Sequence, residues 1–375
     1  MRQLQNVIAA LVLFTFIPIA SCSLFSSSDP DRAPDREILR GFNISPQADN
    51  NVLNTVIART GANVIRLSFG GSNRLVNKTA PYDFNEAAFQ HLNRILDWAE
   101  RSGVRVIIDP HTTPGTKSDW TIYPDDEFWQ DESLQEHLIR LWVRIATENK
   151  HRGDVIAGYD LLNEPSIPDP TQCGDKWNEL VAVLVETIRE IDDRSPIIIE
   201  PSGKLAGGDC QGKGGPYIGR LTGLQDLILP DDDNLIVSPH IYVPHQFTHQ
   251  GVEGNPAGVS YPGDINNIFW DKNLISYRIQ SIRDFHSTHP NIPILIGEFS
   301  VSRAAGPDGD VYLNDLISLM EDEGWGWTYH DLRGYTGWDP EMPYTDGPPY
   351  GVEATPRDRD APRMILLREF YSKNN

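Results

Sequence analysis

Two stretches of this chain end apolar runs on a carboxylate. Gly158-Tyr-Asp-Leu-Leu-Asn-Glu-Pro165 reads as a short strand closing on Asn163-Glu164-Pro165, and Pro293-Ile-Leu-Ile-Gly-Glu298 reads as another closing on Glu298. A carboxylate at the end of a buried strand is costly unless it is paired, hydrogen-bonded or open to a cleft. Pro165 removes the backbone donor that would continue the ladder. Glu164 and Glu298 are therefore expected at strand carboxyl ends, at the mouth of one cleft. Two carboxylates facing each other suit glycoside hydrolysis. One protonates the leaving oxygen; the other, ionised, attacks or stabilises the oxocarbenium-like centre. Their surroundings must then push the two pKa values apart.

Further residues of the right chemistry close other apolar runs. Arg66 lies inside Asn63-Val-Ile-Arg-Leu-Ser68, where its cation could keep Glu298 charged. Asp109-Pro110-His111 ends a third run, His240-Ile-Tyr242 ends a sixth, and Trp327 lies in Gly324-Trp-Gly-Trp-Thr-Tyr329. Tyr242 offers Glu298 a hydrogen bond, Asn163 offers a donor for a sugar hydroxyl, and Trp327 offers a flat face for a pyranose ring. Taken singly, each has an ordinary structural explanation. Their recurrence at the same end of successive strands is what makes a site.

The elements that must position these residues alternate. Strands are expected at 41–44, 63–68, 104–109, 156–162, 197–200, 234–241, 293–298 and 324–329. Between them lie helical patterns such as Phe89, Leu92, Ile95, Leu96 and Ala99, closed by Gly103 as a left-handed cap, and Leu134, Leu138, Leu141, Trp142 and Ile145. The segment 204–229 is Gly-rich and gives no clear helix. Strands alternating with helices imply a parallel sheet covered by helices. With eight units in 375 residues, a single closed (β/α)8 TIM barrel extended by insertions is the economical α/β fold. An open doubly wound sheet is the alternative, but no GxGxxG follows any strand.

These residues resemble glycoside hydrolase family 5, the cellulase-type barrels of the clan with catalytic glutamates on strands four and seven. The resemblance runs over roughly Ile38 to Tyr371. It implies Glu164 as the acid/base, Glu298 as the nucleophile and Arg66 as the arginine that holds it. It implies His111, Asn163, His240 and Tyr242 as supporting residues, and Trp327 as the strand-eight tryptophan of subsite −1. The family is retaining, so the two carboxyl groups are expected about 5–5.5 Å apart, with a covalent glycosyl-enzyme intermediate. No metal and no organic cofactor are implied. The implied substrate is a β-linked glycan, in the first place a β-1,4-glucan. Mannan and mixed-linkage glucan remain open, because members differ in loops rather than in the shared residues.

Other side chains receive weaker roles. Glu200 ends strand five and is placed on the floor of the site, while Asp109 and Asp160 are read as structural pairs. Trp120, Trp129, Trp270, Tyr335 and Trp338 lie in strand-to-helix loops as candidate platforms for further sugar units, or as loop packing.

The net charge of −21 argues against nucleic acid or an anionic membrane surface as a partner, and suits a neutral substrate. Residues 1–21 are read as a leader: Arg2 opens it, and Val7–Ile19 is apolar but for Thr15 and Pro18. Ile19-Ala-Ser-Cys22 resembles the lipobox of bacterial lipoprotein signals, which implies lipidation of Cys22 and a cell-envelope location. Residues 22–36 then form a polar tether, and 37–375 the barrel, expected as a monomer. An ordinary secretory signal is the alternative. Cys173 and Cys210 form a disulfide bracing the rim or remain two thiols. There is no CxxC and no Cys/His cluster for structural zinc.

Two readings of other classes compete. A non-catalytic carbohydrate-binding surface lipoprotein on a dead barrel would have no need of both glutamates. A metal-dependent barrel hydrolase would need ligands such as His-x-His on strand one, which here ends Asn43-Ile44-Ser45.

Overall fold

Eight strands line up in parallel: β1 Arg40–Ile44, β2 Val64–Ser68, β3 Arg105–Asp109, β4 Ile156–Asp160, β5 Ile197–Ile199, β6 Leu235–Val237, β7 Leu295–Phe299 and β8 Gly326–Leu332. The computed structural model describes residues 37–167, 175–202, 219–252, 254–344 and 356–374. The leader, the tether, Cys22, Cys173 and Cys210 lie outside the described residues. Residues Ile38–Asn375 form one compact unit.

Neighbours pair in chain order from β1 to β6, while β8 pairs with both β1 and β7. The ring closes between β6 and β7. Ser238-Pro239 interrupts β6, since proline has no donor for the ladder. The segment resumes as His240–Ile241, which pairs with β7, and Val237 bridges Ile294. The architecture is the (β/α)8 barrel. Parallel neighbours require long crossovers, and amphipathic helices supply them. Asn85 caps Glu86–Ser102 by accepting from the Ala88 amide, and Gly103, at φ 73°, ends it. Asp131 caps Glu132–Asn149 in the same way through Ser133.

Among the described residues, an apolar core lies on each side of the sheet. The larger one lies between sheet and helices. A smaller, separate cluster inside the barrel takes Leu39 and one residue from each of β2 to β7: Val64, Ile107, Ala157, Ile198, Ile236 and Leu295. These seven side chains fill the bottom of the lumen. The polar residues stand above them, towards the strand carboxyl ends.

Several strand ends shift by a few residues from the sequence reading, and one shift bears on the site. β8 continues to Leu332, three residues past Tyr329, so its carboxyl end carries His330 and Asp331. After β5, the described part of the Gly-rich segment contains one tight-turn helix, Gly219–Asp226.

Candidate active site

Arg66 is the centre from which the site is built. β2 aims it into the lumen, where it is fully buried. Its Nη1 donates to Glu298 Oε1 at 2.7 Å and to Asn43 Oδ1 at 2.9 Å. Its Nη2 donates to Asn163 Oδ1 and Glu200 Oε1, both at 2.9 Å, and its Nε to Asp160 Oδ2 at 2.8 Å. Asp109 Oδ2 lies 3.1 Å from Nη1. A planar guanidinium with five donors suits such a cluster, where a lysine could not reach all partners. Asp109 and Asp160 are thus structural partners of Arg66. Loss of water pushes the buried Asp160 carboxyl up, against the pull of Arg66.

Glu298 is buried at the end of β7, and both of its oxygens are held. Arg66 takes Oε1, and the Tyr242 hydroxyl donates to Oε2 at 3.0 Å. Burial alone would raise its pKa, but His330, His240, Arg66 and His111 outweigh burial and hold it well below the usual carboxylate range. An ionised, oriented carboxylate is the form a nucleophile needs. The preceding residue must be glycine, because a Cβ at 297 would meet Ser238 Oγ at 2.4 Å and His240 Nε2 at 3.0 Å.

Glu164 lies beyond the end of β4, in the left-handed region at φ 47°. Its Oε1 is 2.9 Å from His240 Nδ1, and Thr121 Oγ1 donates to its Oε2 at 3.3 Å. Its own backbone N–H donates to Glu200 Oε2 at 2.8 Å. One carboxylate oxygen of Glu164, one of Glu298 and a ring nitrogen of His240 all lie within 4.8 Å of one another.

The remaining residues support the pair. His240 is buried between acids: burial works against its charge, but Glu200, Glu298 and Glu164 push it up to about 10. His111 binds Asp109 through Nδ1 at 2.6 Å, and Asp109 and Glu298 raise its pKa over the cost of burial. Asn163 is fully buried, and its Nδ2 donates to the Trp120 carbonyl at 3.1 Å.

Trp327 departs from the sequence reading. It is fully buried outside the barrel, bonded through Nε1 to Glu321 at 2.9 Å and stacked 5.1 Å from Tyr371. Side chains alternate along a strand. On β8, Thr328 and His330 face inward, while Trp327 and Tyr329 face the helices, so Trp327 cannot meet a sugar. The inward residue at the end of β8 is His330, partly exposed, with Nδ1 3.6 Å from Glu298 Oε2. Period-two counting from Thr328 would have found it. Glu200, two residues beyond the inward Ile198, carries the same signal.

Among the candidate platforms, Trp129 and Trp270 are buried, and Trp338 is buried with its ring 6.2 Å from Tyr242. Trp120 is 64% and Tyr335 40% exposed.

The family model described as cellulase (glycosyl hydrolase family 5) matches residues 32–336. Endoglucanase C of Acetivibrio thermocellus is 24% identical over 279 residues, covering 67% of this chain and 75% of the relative. Cellodextrinase A of Ruminococcus flavefaciens is 28% identical over 171 residues, 46% of this chain and 45% of the relative. Among solved structures, a hyperthermophilic endo-β-1,4-glucanase in complex with substrate superposes with a TM-score of 0.66 at 20% identity, covering 88% of this chain and 97% of that one. Thermotoga maritima Cel5A in complex with mannotriose gives 0.63 at 23% identity, covering 81% and 92%. With the glutamate pair and its arginine in place, these likenesses identify the chain as a glycoside hydrolase belonging to glycosyl hydrolase family 5, the cellulase family.

Proposed function

We propose that the enzyme is a retaining endo-β-1,4-glucanase. The observation that supports the retaining mechanism is the placement of Glu164 and Glu298 after strands four and seven of a family 5 barrel, facing one cleft with one carboxylate oxygen of each within 4.8 Å. Glu298 attacks the anomeric carbon from its hold between Arg66 and Tyr242. Glu164 gives its proton to the leaving oxygen. The same carboxylate then takes a proton from the water that releases the glycosyl-enzyme. The endoglucanase relatives support glucan as the polymer, and the exposed Trp120 beside Asn163 supports binding along a chain rather than at its end.

Glu298→Ala and Glu164→Ala should each lower turnover on soluble β-glucan by about 10³-fold or more with folding intact. The first product should keep the β configuration. Near-normal turnover in either variant, or an inverted product, refutes the mechanism.

A second reading, β-mannanase or mixed-linkage glucanase, is supported by the mannotriose complex of the similar Cel5A. Hydrolysis of a panel of β-1,4-glucan, mannan, mixed-linkage glucan and xyloglucan decides between them.

We further propose that Cys22 carries a lipid that holds the enzyme to the cell envelope, on the strength of Ile19-Ala-Ser-Cys22 after an apolar leader. Among the described residues no helix is long and apolar enough to cross a membrane. Cys22→Ala should move the protein from the membrane fraction to the soluble one; a variant that stays with the membrane refutes the anchor.

A further inference from the structure

Glu200 touches Glu164 from two directions. Its Oε2 accepts the main-chain N–H of Glu164 at 2.8 Å. Its Oε1 accepts from Arg66 Nη2 at 2.9 Å and makes an ion-pair contact, out of line for a hydrogen bond, 3.2 Å from His240 Nε2. The other nitrogen of His240 is 2.9 Å from Glu164 Oε1. These contacts form a closed ring: Glu164 backbone, Glu200, His240, Glu164 carboxyl. The ring encloses a residue whose backbone sits at φ 47°, a region that a residue with a side chain occupies only when its neighbours hold it there.

Glu200 is itself buried, at 1% exposure, and stands below the cleft rather than in it. It has no route to substrate. Charge alone does not explain it either, because Arg66 already has Asp109, Asp160 and Glu298 around it. Asp160 makes the useful contrast. It gives Arg66 one oxygen, and its other oxygen has no hydrogen-bond partner. Glu200 spends both oxygens, one of them on the backbone of Glu164.

We propose that Glu200 is a positioning residue that sets the direction of proton delivery by Glu164. It fixes the backbone from which that side chain departs and, through His240, the carboxyl at its end. The inference rests on the reading of Glu164 as the acid. A glutamine at 200 keeps the shape but has one acceptor oxygen. Either the Glu164 amide loses its acceptor, or an amide NH2 is turned against Arg66 and His240.

The test is leaving-group dependence. Glu200→Gln, Asp160→Asn and Glu164→Ala are compared on aryl β-cellobiosides, with kcat/KM as the readout of the glycosylation step. A 2,4-dinitrophenolate leaves without a proton; a phenolate does not. For Glu200→Gln, the phenyl substrate should lose about 10–100-fold, a part of what general acid catalysis supplies, with the dinitrophenyl substrate within about threefold of the wild type. Asp160→Asn should lower both by a common factor. Equal loss on both substrates in Glu200→Gln overturns the inference and leaves Glu200 a structural partner of Arg66. If Glu164→Ala itself shows no leaving-group dependence, the assignment of the acid falls, and the inference with it. Should Glu200→Gln not fold, Glu200→Asp keeps the charge beside Arg66 but is one methylene too short to span both contacts, and the same divergence between substrates is expected.

Discussion

Arg66 binds Glu298 and Glu200 with the two halves of one guanidinium, and Glu200 holds the Glu164 amide, so Glu298 and Glu164 share a support. Buried ion clusters are weak evidence for stability and lose heavily when one member is removed. Their use here is electrostatic preorganisation. Glu298 is held ionised by His330, His240, Arg66 and His111 against the effect of burial. The sign of a pH effect follows. Cations lower the pKa of Glu298, so the acid limb of kcat/KM should lie below the ordinary carboxylate range. Removing a cation should move it up. His330→Ala is expected to shift that limb to higher pH, with the alkaline limb unchanged. A limb that stays in place, measured on an aryl cellobioside across pH 3–7, would remove His330 from the account. The groups facing Glu298 in that comparison are Arg66 on β2, His111 after β3, Glu164 after β4, His240 and Tyr242 after β6, and Asp331 beside His330. The residues that were legible in sequence are those whose chemistry is odd for a strand: an arginine in an apolar run, a glutamate before proline. Trp327 misled because an aromatic suits either face of a strand, and parity rather than type decides which. Glu200 looked like one more acid at a strand end, because its hold on the Glu164 amide is a contact between β4 and β5 that no local pattern records.

At the scale of elements, the segment between β3 and the Glu132–Asn149 helix does the work of a side wall. It contributes the Trp120 carbonyl to Asn163 and the Thr121 hydroxyl to Glu164, and presents the Trp120 ring to solvent at 64% exposure. The ring sits edge-on, 6.3 Å from His111. The backbone of this loop therefore braces Glu164, while its most exposed large ring, Trp120, is available to a sugar. A stacking platform contributes about 0.5–1.5 kcal/mol, which corresponds to roughly 2–12-fold in affinity. Trp120→Ala should raise KM for long soluble glucan by about that factor and leave kcat on an aryl cellobioside near wild type. A fall in kcat on the small substrate would mean that the loop had lost its bracing role instead. The strand and helix order was readable because burial on both faces writes continuous apolar runs, and capping residues such as Asn85 and Gly103 punctuate them. The break in β6 at Ser238-Pro239 and the length of β8 were not, because both are set by pairing across the closed ring.

For the molecule as a whole, titration has a direction. His240 is pushed from 6.5 up to about 10. Loss of water pushes Asp331 from 3.8 up to about 6, against the pull of His330. Groups raised on folding give stability that is complete below their unfolded value and is lost as pH climbs through the folded one. That window is 3.8 to about 6 for Asp331, 3.8 to about 8 for Asp160 and 6.5 to about 10 for His240, while His249, lowered by burial from 6.5 to about 3, works the other way and gains stability as pH rises to 6.5. Glu298 and Glu321 are lowered instead, so their contribution is lost as pH falls below the usual carboxylate range. Self-repulsion from a net charge of −21 also grows with pH. The thermal midpoint should be highest at about pH 5–6 and fall steadily towards pH 9–10. A midpoint that rises from pH 6 to 9 would contradict this.

The apolar plug at the bottom of the lumen sets the traffic of the reaction. Leu39, Val64, Ile107, Ala157, Ile198, Ile236 and Leu295 leave the barrel no through-passage, as expected of a packed interior rather than a pore. A polysaccharide chain cannot thread the barrel and must lie across its mouth, like a rope over a well. Every species that the reaction consumes or releases then shares that single opening. On the retaining mechanism proposed above, the water that frees the glycosyl-enzyme has to come in from the side the departing fragment has just vacated. Slow release of that fragment would delay hydrolysis and give an incoming sugar hydroxyl time to compete with water, so transglycosylation should grow as oligosaccharide accumulates.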